Sequence, residues 1–297
     1  MIQNNMQKIE RFPIDDTLVH FALNAPEDYL EPGKEHFVIE DIAKNFNSIQ
    51  KDIKHVSIYT LTEEQKKKFA DEYSLPTPLK YTSIDKHRLT RLSLLQIAFS
   101  LNFGTPFGLP DQRDGAIVQD IFPKDDKTER INSSFGSKED FAFHTDQSYN
   151  ANLFEVPSFV ILSCIRNEER GITRAIHLST ILSYLKQEDI DILKQPYFKF
   201  YTGRPDENIA VRIGPVLTDV EGVCTIRVAT DMSSTNADAE SALLLLRKIM
   251  KEKSDDIILN SGDILVLPNK TSVHSRSPFT PNPHEDKRRW LQRVFVK

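Results

Sequence analysis

FAFHTDQSYN, residues 141–150, sets a histidine and an aspartate two positions apart among aromatic side chains. On a strand, residues i and i+2 leave the same face. Read as a strand, DFAFHTD (140–146) therefore points His144 and Asp146 the same way, as two members of a metal-binding face. Composition alone produces such pairs. With 8 His and 43 Asp+Glu in 297 residues, roughly one His-x-acid pair is expected by chance. The second pair, His284-x-Asp286, sits between Pro283 and Lys287 in a charge-dense loop and reads as solvent-exposed noise.

Outward from this stretch the texture is that of strands. GAIVQDIF (115–122) and PSFVILSCIR (157–166) are short apolar runs between turn-forming residues, as are GVCTIRVA (222–229) and RWLQRVFV (289–296). DDIILNSGDILVLPN (255–269) reads as two strands around a Ser-Gly-Asp turn. Helical patterns fall at 63–73, at 85–101 (Leu89, Leu92, Leu95 and Leu101), at 179–193 and at 237–250. Residues 197–217 are polar and Pro/Gly-punctuated at their centre and read as a flexible loop. Regular βαβ alternation is missing. The expected fold is mainly β with helices: a sandwich or barrel core, an N-terminal helical region and helical insertions. We expect one domain over 1–297, with a mixed region to 85, a core from 86, and 201–212 as a lid or an ordinary surface loop.

Bulk numbers narrow the function classes. A hydrophobic content of 39% and a charged content of 27% suit a globular protein with a sizeable core. The net charge of −5 gives no footprint for nucleic acid or an anionic membrane. No apolar run approaches the ~18 residues of a membrane span, and MIQNNMQKIERF does not read as a secretory signal. Cys164 and Cys224 lie in apolar runs and read as reduced thiols of a cytoplasmic protein.

A third ligand is needed. His274, in LPNKTSVHSRSPF, supplies it, and two histidines with one carboxylate make the face typical of non-haem Fe(II). Three segments then carry a resemblance: HTDQSYNANLFEVPSFVILSCIRNEERGIT, SGDILVLPNKTSVHSRSPFTP and RRWLQR. From Lys86 to Lys297 the chain resembles the clavaminate synthase and asparagine/arginine oxygenase group of Fe(II)/2-oxoglutarate dioxygenases, which are taurine-dioxygenase-like. The ending H-x-R-x-P-F-x-P…R-W-L-Q-R is its most specific part.

The resemblance implies a double-stranded β-helix, the jelly-roll or cupin-like arrangement. It implies His144, Asp146 and His274 as ligands to Fe(II), with 2-oxoglutarate and O2 as co-substrates. It makes Arg289 the partner of the distal carboxylate of 2-oxoglutarate, with Thr173 assisting. Arg288 is a rival, because residues 283–287 depart slightly from the family spacing. Arg293 shares a strand face with Arg289 and would hold either the substrate carboxylate or the other end of 2-oxoglutarate. Gln119 and Ser134 fall where relatives grip an amino-acid backbone. Arginine-type relatives use two acids, two residues apart, where this chain has Ala229 and Asp231; one acid suits lysine, ornithine or an amide. The implied activity is hydroxylation of an unactivated C–H of a free or carrier-bound amino acid. Desaturation or cyclisation and a non-catalytic metal-binding jelly roll are the alternatives.

Overall fold

FVILSCIR is apolar almost throughout, which marks a strand covered on both faces. The computed structural model describes residues 9–45, 54–79, 89–110, 112–123, 136–150, 156–201 and 210–297. In it this run is a strand with its six central residues buried. Its alternate residues enter two different clusters. Ile161 and Ile165 pack on the N-terminal helices, and Val160, Leu162 and Cys164 pack on a second sheet. That strand is the centre of the molecule.

In chain order the strands begin with β1 (Glu10–Pro13), β2 (Ser57–Thr60), β3 (Pro106–Phe107), β4 (Gln119–Ile121) and β5 (Phe141–His144). Next come β6 (Phe159–Arg166), β7 (Ile172–His177), β8 (Phe198–Tyr201), β9 (Ala210–Gly214) and β10 (Leu217–Val220). The last are β11 (Val223–Ile226), β12 (Met232–Ser234), β13 (Asp255–Ile258), β14 (Asp263–Pro268), β15 (Ser272–Arg276) and β16 (Trp290–Val296). The helices are α1 (Asp16–Asn24), α2 (Glu35–Asn45), α3 (Glu63–Lys68), α4 (Ala70–Tyr73), α5 (Arg91–Ser100), α6 (Leu178–Tyr184), α7 (Gln187–Leu193) and α8 (Ala237–Lys253).

A seven-stranded sheet runs β1-β2-β14-β6-β16-β3, with β4 also on β16. A four-stranded sheet runs β13-β7-β15-β5. Leu265 and Leu267 of β14, Leu291 and Phe295 of β16, Ala175 of β7 and Ile257 of β13 share one cluster, so the two sheets face each other. Helices α1, α2 and α5 cover the outer face of the larger sheet. Helix α8 starts at an Asn236 cap and lays Leu243, Leu246 and Met250 among Ile176 of β7 and Val273 of β15, on the outer face of the smaller sheet. The chain is thus a mixed helix-and-sheet protein. Among the described residues no helix is long and apolar enough to cross a membrane.

Several expectations shift. Residues 197–217 are not one loop: β8, β9 and the start of β10 occupy their described part, because Phe198 and Phe200 alternate into the core at 0% exposure. Residues 202–209, the centre of the expected lid, lie outside the described residues. The helical pattern at 179–193 divides into α6 and α7, and that at 63–73 into α3 and α4 around the buried Phe69. The helix expected from 85 is seen as α5, its first residues to 88 lying outside the described ones. The run at 115–122 shortens to β4, and that at 222–229 to β11.

Candidate metal centre

Strand β5 stops at His144, and a turn carries the next residues. The i/i+2 argument therefore places His144 but not Asp146. The turn is fixed from outside. Thr145 N donates to the carbonyl of Val228 at 2.8 Å. Asn269, just past β14, accepts from Asp146 N at 2.8 Å and donates to the carbonyls of Asp146 and Pro157, each at 3.0 Å. Gln147 takes φ 59°, a left-handed bend that turns the chain away directly after Asp146.

His274 lies within β15 rather than after β14, directly opposite His144 in the antiparallel register. The two rings sit 4.3 Å apart, and Asp146 Oδ2 is 3.4 Å from His274 Nε2. One ligating atom from each of His144, Asp146 and His274 falls within 4.8 Å of the others, and all three residues are at most 8% exposed. His144 Nδ1 lies 2.8 Å from the carbonyl of Ala142, which leaves Nε2 to face the cluster. Burial, and then His274, push the His144 imidazole down to about 3, so it is neutral at pH 7 and offers a lone pair. Burial pushes the Asp146 carboxyl up, but Arg293 and His274 outweigh it and hold it below the usual carboxylate range. Two imidazole nitrogens and one carboxylate, converging and buried, are a donor set that fits a non-haem iron ion.

Two arginines flank this cluster. Arg293 projects from β16 on the same side as Leu291, into the space between the sheets. It donates to Asp146 Oδ1 at 2.8 Å and to Gln119 Oε1 at 2.6 Å. Gln119 in turn donates to the carbonyl of Ala116. Arg289 precedes β16 and is 4% exposed, and its Nη2 donates to Thr173 Oγ1 at 3.4 Å. Thr173 pairs with Arg276 in the sheet where Ala175 pairs with His274, so the Arg289–Thr173 pair lies about 7 Å along the sheet from the histidines. Burial pulls the Arg289 guanidinium below its ordinary range, and its Nε, like that of Arg293, is a buried donor without a hydrogen-bond partner. A buried cation with an unmet donor is the state expected of a carboxylate receptor.

The rival, Arg288, points elsewhere. Its Nε donates to the carbonyl of Asn282, and its Nη1 reaches Glu285 at 3.7 Å. His284 and Asp286 are exposed, as expected. Asp231 is exposed, and among the described residues its carboxylate touches neither the triad nor the two arginines. Its neighbour Val228 does lie beside the ligand-bearing turn, through Thr145. Ser134 lies outside the described residues.

Four positions were not singled out from sequence: Asn269, Arg276, Glu169 and Gly171. Arg276 belongs to the H-x-R motif and is buried at 5%, pulled down to about 10 by burial and by the Arg289 charge. It shares the Phe279 ring with Arg289, at 5.3 and 5.7 Å from the ring centre. Glu169 Oε1 accepts from the backbone of Arg289 at 2.8 Å and of Asn282 at 3.1 Å. Gly171 lies so close that a Cβ there would meet Arg289 Cδ at 3.0 Å. Nothing in the spacing of NEERGIT marks Glu169 or Gly171; both act through their contact with Arg289.

A family model described as "Taurine catabolism dioxygenase TauD, TfdA family" matches residues 95–295, more than half of the chain. An L-asparagine oxygenase from Streptomyces coelicolor is 27% identical over 232 residues, covering 74% of this chain and 66% of that protein, just under two thirds of its length. Clavaminate synthase 2 from Streptomyces clavuligerus is 25% identical over 232 residues, covering 75% of this chain and 68% of its own. Among solved structures, an asparagine oxygenase in complex with Fe(II), 2S,3S-3-hydroxyasparagine and succinate superposes with TM-score 0.76 at 19% identity, over 96% of this chain and 93% of that one. The non-heme iron oxygenase OrfP, in complex with Fe and alpha-ketoglutaric acid, gives 0.79 at 23% identity, over 97% and 94%. The fold of this chain is that of these oxygenases.

Proposed function

The chain belongs to the TauD, TfdA dioxygenase family, and on that premise we propose that it is an Fe(II)/2-oxoglutarate-dependent oxygenase that hydroxylates an unactivated C–H of a free or carrier-bound amino acid. The facing sheets are read as the two halves of a double-stranded β-helix, with 1–297 as one domain. His144, Asp146 and His274 hold the iron; Arg289 and Thr173 hold the distal carboxylate of 2-oxoglutarate. The observation that carries the reading is the convergence of the three donor atoms within 4.8 Å, beside a buried Arg289 that reaches across from the start of β16 to Thr173 on the ligand-bearing sheet.

Iron and 2-oxoglutarate, held by these residues, would supply the O2-dependent oxidative chemistry that yields succinate, CO2 and a hydroxylated substrate. The chain's own contribution is geometric and electrostatic. Arg289 supplies a fixed guanidinium fork to a carboxylate in a dry site. Arg293 neutralises Asp146 and leaves its Nε for a further acceptor, and Gln119 holds the other end of that fork. We assign Arg293 and Gln119, with Ser134, to the α-amino and α-carboxyl groups of the amino acid. The likeness to an L-asparagine oxygenase and to an L-lysine 3-hydroxylase supports a polar or cationic side chain, for which Asp231 is the proposed contact. Reaching it requires the exposed Asp231 carboxylate to turn inward when substrate binds.

The test is succinate formation from 2-oxoglutarate under Fe(II), screened across lysine, ornithine, arginine, asparagine and glutamine with mass detection of product. One of these should couple succinate to a hydroxylated product, and the Asp231→Asn protein should lose that preference. Coupling only with apolar amino acids would overturn the substrate assignment.

A further inference from the structure

The signature that marks Arg289 and Arg293, a buried guanidinium N–H without a hydrogen-bond partner, recurs away from the metal centre at Arg212 Nη1 and Arg227 Nη2. Arg212 is on β9. It lies 4.3 Å from the centre of the Phe200 ring and donates through Nη2 to the carbonyl of Pro215 at 3.2 Å. The backbone of Gly214 lies flat beneath it: a Cβ there would stand 2.9 Å from Nη2 and 3.1 Å from Cζ. Arg227 follows β11. Its backbone N donates to the carbonyl of Val216 at 2.8 Å, next in sequence to the Pro215 that anchors Arg212, and its Nη1 donates to the carbonyl of Asn150 at 3.1 Å.

Two cations are therefore tied to adjacent residues of one segment. Among the described residues neither guanidinium has an acidic partner. Burial, and then Arg227, pull Arg212 down to about 10, and burial does the same in direction for Arg227. Folding has desolvated two like charges close enough for the Arg227 charge to act on Arg212, each with a donor unmet, and that arrangement costs free energy unless an anion shares it.

We propose that Arg212 and Arg227 form a second, oxyanion-binding site that takes a carboxylate- or phosphate-bearing ligand. Two planar forks suit an oxyanion with several acceptor oxygens, and the Phe200 face and Gly214 fix the plane of one of them. The site backs onto the metal centre. Val228, next to Arg227, accepts from Thr145 between two of the ligands, and Asn150 closes the turn that starts at Asp146. The inference stands apart from the oxygenase reading, because none of its residues belongs to the triad or to the Arg289 pair.

Calorimetric titration with inorganic phosphate at constant ionic strength tests it. The wild type should bind one equivalent. Arg212→Gln and Arg227→Gln should each weaken binding by about tenfold or more, roughly 1.4 kcal/mol, and the double variant should abolish it. Arg212→Lys, which keeps charge but loses the fork, should weaken binding less than Arg212→Gln, and it serves if a glutamine variant fails to fold. Thermal unfolding gives a second reading, since phosphate should raise Tm in the wild type beyond its general salting effect in the double variant. Arg289→Ala separates the two sites and should leave phosphate binding intact. Absence of saturable binding by the wild type, undiminished binding by the double variant, or binding lost with Arg289→Ala would each overturn the proposal.

Discussion

At Arg289, local chemistry sets the strength of the account. A guanidinium at 4% exposure with one long hydrogen bond to Thr173 is held ready for a carboxylate. Removing it by Arg289→Ala should weaken the 2-oxoglutarate interaction by ~2–5 kcal/mol, the usual loss for a buried charge-assisted partner. Iron affinity should change little. The measurement is the KM for 2-oxoglutarate beside a metal titration; an unchanged KM would move the role to Arg293. Gly171 probes the same residue from behind. A methyl group there meets Arg289 Cδ, Arg289 Nε and Phe279 Cδ1 at 3.0–3.2 Å. Gly171→Ala should cost about 1–3 kcal/mol of stability by overpacking, read in a denaturant midpoint, and should raise the KM for 2-oxoglutarate more than it lowers kcat. Arg289 was legible because a specific motif ending carried it. Glu169 and Gly171 were not, since both act by where they lie against Arg289, which spacing alone does not encode.

At the scale of elements, β15 and the turn after β5 do the assembling. His274 faces His144 because the antiparallel register sets them opposite each other, and a bulge between His274 and Arg276 shifts the pairing with Phe141. Sequence pointed to both histidines and to Asp146, but treated 140–146 as a strand throughout. The strand ends at His144, and Asp146 is placed by Asn269, whose contacts span 123 residues of sequence. No local pattern reveals that contact. Asn269→Ala leaves Asp146 N and two carbonyls without their partner, so stability should fall by roughly 1–3 kcal/mol. Metal affinity should fall ~10–100-fold, as for other outer-shell partners. Equilibrium metal titration with unfolding checks both; full metal affinity in a destabilised variant would show that the turn holds Asp146 unaided. The segment 197–217 failed for the opposite reason. Phe198 and Phe200 carry a period-two strand pattern, but Gly203, Pro205, Gly214 and Pro215 beside them carry an equally strong turn signal.

Across the whole molecule, the two sheets, their shared cluster and the N-terminal helices form a scaffold whose inner space is lined by His144, Asp146, His274, Thr173, Arg289 and Arg293. The continuous apolar runs of β6 and β14 and the apolar ends of β16 made the sheets legible. Which helix lies on which face was not, because α5 is apolar on nearly every side and is locked by Gln96 donating to the carbonyls of Ile161 and Gln292. Metal binding at a site that exists only in the fold should stabilise the whole, by about 2.7 kcal/mol at a hundredfold excess over Kd. Chelation should lower Tm accordingly, and an unchanged Tm would place the metal outside the folded core. The most direct measurement is an anaerobic titration of the protein with Fe(II) and 2-oxoglutarate, followed by the visible absorption that arises when a keto acid chelates protein-bound iron. One equivalent of iron should bind, with a band that needs both components and is lost in His274→Ala. An undiminished band in His274→Ala, or no iron bound by the wild type, would contradict the iron-site assignment.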